Sequence, residues 1–338
     1  MIFRKAGNIK MTEKQYFVSV HKNKKGFDGS IKPRNDIANS LKGFIKVDVP
    51  YTEHVESIDS IVDLLSTSNP VLFLQYPLYN TGLDVLREIE RRVKNIKIIG
   101  IIHDIDSVRF YGSPFTSDSP EMKDFVLMDS MYVSSEKVKQ DIIKAGYKGT
   151  ILVHGPWVNH TIVQDEGLKL GNVVYAGNLN KEKAGFLLSD KYQDIVNNNL
   201  VVYGNYQDDM SEIGKLRSYI GKTTDNFLVY ASNMFNFGLV WDEGIDGNTT
   251  WSEYNSVNMP AKLSLYLRMG IPVIARKNTR AGEIIEKYNL GLTINNLKEI
   301  KEIDKKYNQD TELWWQLKES VVKAQHMVQM GQSFTKLN

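Results

Sequence analysis

A chain of 338 residues, 42% hydrophobic and 24% charged, is long enough for about two ordinary domains with full-sized cores, which excludes a disordered or low-complexity protein. Its 42 basic and 40 acidic side chains leave a formal charge of +2, without the concentrated positive excess of a dedicated nucleic-acid binder. Cysteine is absent, excluding disulfides and thiolate metal sites, and no uninterrupted apolar run of about 18 residues marks a membrane span. The N-terminal stretch lacks the apolar core of a secretion signal, so the chain is expected in the cytoplasm, and the sequons Asn159-His-Thr161 and Asn248-Thr-Thr250 read as chance matches.

Short apolar runs then alternate with helical periodicity, the pattern of βαβ units. Tyr16 to Val20 predicts a strand, followed by a basic, glycine-bearing loop from Lys22 to Arg34 that includes Gly26, Gly29, Ser30 and Lys32. Pro33, suited to a first turn, opens a helix through Ile37 and Leu41. Strands are predicted at Phe44 to Val49, Val71 to Gln75 and Ile96 to Ile102, with helices at Val55 to Leu65 and Leu83 to Val93 between them. The last of these strands is apolar nearly throughout, as a central parallel strand should be. Residues 121–146 hold two helices around a strand at Met131 to Val133, the second capped by Ser134 or Ser135.

The pattern restarts after about residue 160. Strands are expected at Asn172 to Ala176, ending in Gly177-Asn178, and at Leu200 to Tyr203, ending in Gly204-Asn205. Two more fall at Phe237 to Trp241 and Ile271 to Ala275, with helices at Pro260 to Met269, 280–288, 297–307 and Thr311 to about Gln329. Two βα series predict two doubly wound α/β domains facing a cleft, bounded as 1–160, 161–310 and a terminal helix in 311–338. Ligands are expected beyond the carboxyl ends of the strands.

The familiar phosphate loops are missing. No G-x-G-x-x-G follows the first strand, and Gly221-Lys222-Thr223 lacks the P-loop glycine, since position 216 is Leu, and follows no evident strand. No HExxH appears, and histidines 21, 54, 154, 160 and 326 have no metal-ligand spacing. The most informative stretch is Asn258-Met-Pro-Ala-Lys262-Leu-Ser264-Leu265-Tyr266-Leu-Arg-Met-Gly270-Ile-Pro272-Val-Ile274. Pro260 opens a helix there whose first N–H groups favour an anion, and Lys262 adds a full charge suited to a departing diphosphate. The bland alternative is an ordinary αβ unit with a solvated lysine.

This stretch resembles the N-x-P-x-K-x-S-x-Y-L-x-x-G-x-P-V core of a bacterial glycosyltransferase family. That family contains β-1,6-galactofuranosyltransferases of polysaccharide assembly and the glucosyltransferases of serine-rich-repeat adhesins. Further resemblances follow in order along nearly the whole chain: Lys32-Pro-Arg34-Asn-Asp36-Ile37, His103-Asp104-Ile-Asp106-Ser-Val-Arg109, Val174-Tyr-Ala-Gly177-Asn178-Leu and Phe237-Gly-Leu-Val-Trp241-Asp242. The galactofuranosyltransferase branch is the nearer, although it often has His where this chain has Ala261. The resemblance implies a GT-B fold with the final helix crossing back to the N-terminal domain, a UDP-sugar donor, and no metal or other cofactor. Carried over by position, Asn178, Lys181, Asn258, Lys262, Ser264, Leu265 and Tyr266 would hold the nucleotide and diphosphate. For Asn178 the alternative is a turn residue, and for Leu265 a core position.

His103-Asp104-Ile105-Asp106 ends the best strand of the first half. One carboxylate, Asp104 first and Asp106 second, would take the acceptor proton, with Arg109 pairing to a carboxylate or phosphate. The same Asp104/Asp106 pair is a D-x-D, which elsewhere holds a divalent ion against a diphosphate; that reading stays open. Ser30, Lys32 and Arg34 suit a lid over donor or acceptor, or a contact with anionic lipid, and Gln75-Tyr76-Pro77 would meet an acceptor sugar. The E-x7-E pair of many retaining enzymes is missing, its places being Val257 and Leu265, which favours inversion. The expected partners are a UDP-sugar and a glycan, glycoprotein or lipid-linked acceptor, the last bringing the chain to the inner face of the membrane. A homo-oligomer is compatible with the resemblance. A catalytically silent homologue and a nucleotide-sugar epimerase are the competing readings.

Overall fold

The computed structural model describes residues 14–22, 31–50, 58–66, 69–78, 85–111, 114–161, 172–206, 210–230, 234–245 and 250–331. The chain forms two compact units, one ending at Gly155 and the other beginning at Pro156.

In the first unit, strands β1 (Tyr16–Lys22), β2 (Ile45–Pro50), β3 (Val71–Tyr76), β4 (Lys97–Ile102), β5 (Ser130–Val133) and β6 (Thr150–Val153) form one sheet in the order β2-β1-β3-β4-β5-β6. Every pair is parallel. Helices α1 (Ile31–Ser40), α2 (Ile58–Leu65), α3 (Val85–Arg92), α4 (Asp106–Tyr111), α5 (Met122–Phe125) and α6 (Glu136–Lys144) make the connections. A sheet covered on both faces buries β3 throughout and β4 except for Lys97. Ser135 is the N-cap of α6, its hydroxyl accepting from the Val138 N–H at 3.2 Å. The chain runs from β1 to β2 on one side and then to β3 on the other. The crevice of this reversal lies at the carboxyl ends of β1 and β3.

The second unit repeats the plan with β7 (Val173–Asn178), β8 (Leu200–Asn205), β9 (Tyr219–Gly221), β10 (Phe237–Val240), β11 (Val273–Arg276) and β12 (Gly291–Ile294), all parallel in the order β12-β11-β10-β7-β8-β9. Its helices are α7 (Lys181–Ala184), α8 (Gln193–Asn199), α9 (Met210–Ile213), α10 (Asp225–Tyr230), α11 (Thr250–Val257), α12 (Ala261–Met269), α13 (Arg280–Tyr288), α14 (Glu299–Gln309) and α15 (Thr311–Met330). The reversal here lies between β7 and β10. Helix α15 buries Trp314, Leu317, Val321, Ala324, Met327 and Val328. The Trp314 indole donates to the Asn236 carbonyl at 2.8 Å, and the Gln325 amide donates to the Arg268 carbonyl of α12 at 3.0 Å. These contacts are with the second unit. Trp315, on the other face, is 55% exposed.

Three departures from the periodicity share one cause. Strands β6, β9 and β12 lie at sheet edges and are largely not buried, so burial on both faces does not impose the continuous apolar run that marks a central strand. Because β9 leads to α10, the Gly221-Lys222-Thr223 loop does run from strand to helix, contrary to the sequence expectation; the glycine missing at Leu216 remains the reason it is no P-loop. Pro33 falls in the third position of α1 and Pro260 is the N-cap of α12, so neither occupies the first helical position.

Candidate active site

At the switch point of the second unit, β7 and β10 pair only through Phe237↔Val173 and Gly238↔Val174 and then separate. The Ala176 N–H, beyond the last pair, donates instead to the Tyr266 hydroxyl of α12 at 2.8 Å. The Tyr266 ring lies over Gly238, where an added Cβ would meet its Cγ at 2.2 Å. Glycine at 238 therefore lets α12 press against the sheet, and Tyr266, wholly buried, closes the gap between strands.

That packing brings Lys262, in the first turn of α12, over the end of β7. Its Nζ donates to Asp242 Oδ1 at 2.8 Å and to the Tyr175 hydroxyl at 2.9 Å, and sits 4.2 Å from the Tyr175 ring centroid. An added Cβ at Gly177, whose φ is +153°, would lie 3.1 Å from Lys262 Cε, so glycine leaves room for the lysine stem. Alongside, Gly204 has φ +159° and an added Cβ there would strike the Gly177 carbonyl at 2.0 Å. The paired Gly-Asn ends of β7 and β8 are thus a close backbone approach. Burial pushes the Tyr175 hydroxyl well up, and the Asp242 charge adds to it, so this phenol stays a neutral partner.

Asp242 follows β10 and is nearly buried; its second oxygen lies 3.7 Å from Lys183 Nζ of α7. Backbone bonds fix it, the Glu243 N–H donating to the Lys183 carbonyl at 2.9 Å and the Phe186 N–H to the Glu243 carbonyl at 3.1 Å. Glu243 accepts from the Trp241 indole at 3.1 Å, from the Tyr192 hydroxyl at 3.2 Å and from Arg276, whose guanidinium lies 4.0 Å over Trp241. Sequence reasoning matched Tyr175, Trp241 and Asp242 to motifs without assigning them a role, and it missed Lys183, Glu243 and Arg276. No local pattern marks these three, because their partners lie far away in the chain.

The other positions proposed for nucleotide divide by environment. No side chain caps α12. One turn in, the Ser264 hydroxyl is buried with no hydrogen-bond partner among the described residues, an atom that asks for a ligand or water. Asn258, half-buried, immediately precedes this helix end. Asn178 is exposed and accepts from the Asn180 N–H at 2.9 Å, closing a turn. Lys181 is paired with Glu212 at 2.7 Å, and Leu265 is core.

In the first unit the strand ends carry a second polar cluster. Asp104 pairs with Arg109 at 3.1 Å, while Asp106 begins α4 with Oδ1 buried and without a hydrogen-bond partner among the described residues. Glu121 accepts from the Ser107 N–H at 2.7 Å, holding the first turn of α4. The Asp106 carboxyl is pushed up to about 6, by burial first, then by the Asp104 charge; Arg109 and Arg34 oppose this and Glu121 adds to it. Among the described residues no three His, Asp or Glu side chains gather as a metal site. Lys32 and Arg34 lie on α1 rather than on a loop; Lys32 pairs with Asp36, and Arg34, 2% exposed, donates to the Gln75 carbonyl at 2.9 Å. Gln75 and Tyr76 point inward, Tyr76 donating to Asp124 at 2.9 Å, so neither offers a face to a sugar. Ser30 lies outside the described residues.

Two successive doubly wound parallel sheets, the second with a lysine-bearing helix end at its switch point, form the GT-B architecture of glycosyltransferases. The fold is shared, at 10% identity and a TM-score of 0.63, with sucrose-phosphate synthase of Thermosynechococcus elongatus over 96% of both chains. It is also shared with Anabaena HepE, solved with UDP and glucose, at 12% identity and a TM-score of 0.60 over 95% of this chain and 96% of that one. The chain belongs to the glucosyltransferase 3-like family, whose N-terminal domain model matches residues 15–156 and whose C-terminal domain model matches 173–337. It is 27% identical to the β-1,6-galactofuranosyltransferase WbbI of Escherichia coli K12 over 82% of this chain and 83% of that protein. To glucosyltransferase 3 of Streptococcus parasanguinis it is 28% identical over 77% and 74%. Among the described residues no helix is long and apolar enough to cross a membrane.

Proposed function

We propose that this glycosyltransferase moves a hexosyl unit from a UDP-sugar to a glycan acceptor in polysaccharide or glycoprotein assembly, by inversion and without a metal. Galactofuranose is the first choice of sugar and glucose the second, following the two kinds of relative. The observation that carries the reading is Lys262, a nearly buried ammonium held by Asp242 and Tyr175 at an uncapped helix end. A diphosphate there meets a full charge and unsatisfied donors, and both strengthen as the leaving group gains charge.

In the transfer, an acceptor hydroxyl oxygen bonds to the anomeric carbon while the bond from that carbon to the phosphate oxygen breaks, its electron pair leaving with UDP. The proton goes to a carboxylate, and Asp106 is the better base: its proton affinity lies nearer neutrality and one oxygen has no other partner. Asp104 is engaged by Arg109. The missing glutamates at 257 and 265 favour a single displacement.

The test is calorimetric titration with UDP in EDTA and then with excess manganese. Saturable binding in EDTA that is lost in Lys262→Ala supports the reading. Binding only with manganese transfers the assignment to Asp104 and Asp106 as metal ligands. No binding in either buffer removes the UDP-sugar donor.

A further inference from the structure

Helix α12 carries a second positive charge in its last turn. Arg268 is 5% exposed there, and its Nε donates to the Thr161 carbonyl at 2.7 Å. That bond uses one of the five donors of a guanidinium. Among the described residues the two terminal nitrogens have no acceptor, and no carboxylate pairs with the group. Arg109 and Arg276, by contrast, each face an acid. Burial acts on the Arg268 charge unopposed and pulls its pKa below the ordinary arginine value, although the group stays protonated.

The surroundings show the same deficit. Thr161, 4% exposed, has a buried hydroxyl without a partner among the described residues, and so has the Nε2 of His160 beside it in the chain. Acceptors close by are already engaged. The Asn159 side-chain oxygen takes the Thr161 N–H at 3.0 Å, and the Arg268 carbonyl takes the Gln325 amide at 3.0 Å. The preceding carbonyls of α12, Tyr266 and Leu267, accept from the Gly270 N–H. What is missing is negative charge and acceptor oxygens, and a bound oxyanion supplies both.

We infer that Arg268 and Thr161 form an anion-binding site in the second unit, apart from the diphosphate end of α12, for an oxyanion of the phosphate or carboxylate type. The terminal N–H groups of the guanidinium form a fork that matches two oxygens, and the hydroxyl donates to one of them. Lys262 lies six residues earlier on the helix, about 9 Å along its axis, too far for one small ion to bridge. A bound ion ties α12 to the segment ending at Thr161, and α15 is held to the same turn through Gln325. The site does not rest on the transfer reading above.

The experiment is calorimetric titration of the full chain with inorganic phosphate and, separately, acetate, with chloride balancing the ionic strength. It is made in the Lys262→Ala background, which removes the cation of the diphosphate end. Saturable binding of either anion, weakened about tenfold or more by Arg268→Gln, supports the site. Glutamine keeps an N–H for the Thr161 carbonyl, so the loss reports the ion rather than that bond. Should Arg268→Gln fail to fold, Thr161→Val leaves the carbonyl in place and is expected to weaken binding about fivefold. Preference for phosphate or for acetate tells the two ligand types apart. Binding that is equal with and without these substitutions, or that disappears in Lys262→Ala alone, puts the ion elsewhere and overturns the site. No binding of either anion overturns it too. UDP titrated into the wild type tests the transferase reading independently.

Discussion

At Asp106 the fold raises a carboxyl from its ordinary 3.8 to about 6. Between those values the folded chain binds a proton that the unfolded chain gives up. This group therefore stabilises the fold as pH falls through about 6 toward 4, and costs stability above 6. Asp106→Asn removes the cost. It should raise the unfolding free energy at about pH 8 by roughly 1–2 kcal/mol, discounted for partial exposure, with the gain fading toward pH 4. Urea unfolding at the two pH values checks this, and the same variant should lose transfer while keeping UDP affinity. A variant that transfers normally would remove Asp106 as the base. Glu121→Gln keeps the bond from the Ser107 N–H but deletes a repelling charge. The acid limb of its kcat/KM profile should move to lower pH, and an unmoved limb would deny Glu121 that influence.

Elements meet at α12, β7 and β10 through one glycine and one phenol. Gly238→Ala drives a methyl into the Tyr266 ring with β10 behind it, and should destabilise the second unit by about 2–4 kcal/mol in chemical denaturation. Tyr266→Phe keeps the ring but leaves the Ala176 N–H buried without its acceptor, at a cost of about 1–2 kcal/mol. UDP affinity at a temperature where the variant is folded should be unchanged. A fall in affinity without a loss of stability would return Tyr266 to the nucleotide site that its place in the family motif implies.

Over the whole molecule, the residues assigned to diphosphate all belong to the unit that begins at Pro156. That unit is tied together internally: the Trp157 indole donates to the Met259 carbonyl at 2.9 Å, Arg268 donates to the Thr161 carbonyl at 2.7 Å, and the Asn159 N–H to the Val328 carbonyl at 3.2 Å. Residues 156–338 expressed alone should unfold cooperatively and bind UDP within about tenfold of the full chain. A folded fragment that ignores UDP would show that the first unit supplies part of the nucleotide contact.

The parallel sheets were legible because β3, β4, β7, β10 and β11 are apolar runs ended by polar or glycine residues, a local pattern that burial on both faces imposes. The capping serine of α6 and the lysine at the start of α12 were legible for the same reason, since a helix end is set by its own few residues. The edge strands β6 and β9 were not, because a strand with one neighbour and mostly partial burial has no need of a continuous apolar run. Nor were the site's pairings. Lys262 meets Tyr175 across 87 positions of chain, and Gln75 meets Ser19 across 56 and His103 across 28. Those meetings depend on strand order, which places β10 and β3 beside β7 and β1 after the chain has reversed direction. Residue types and local spacing thus determined the two parallel α/β units and the lysine at a helix end. Only the tertiary structure decided which carboxylate holds that lysine, which glutamine meets the histidine, and which aspartate is left with an unpartnered oxygen.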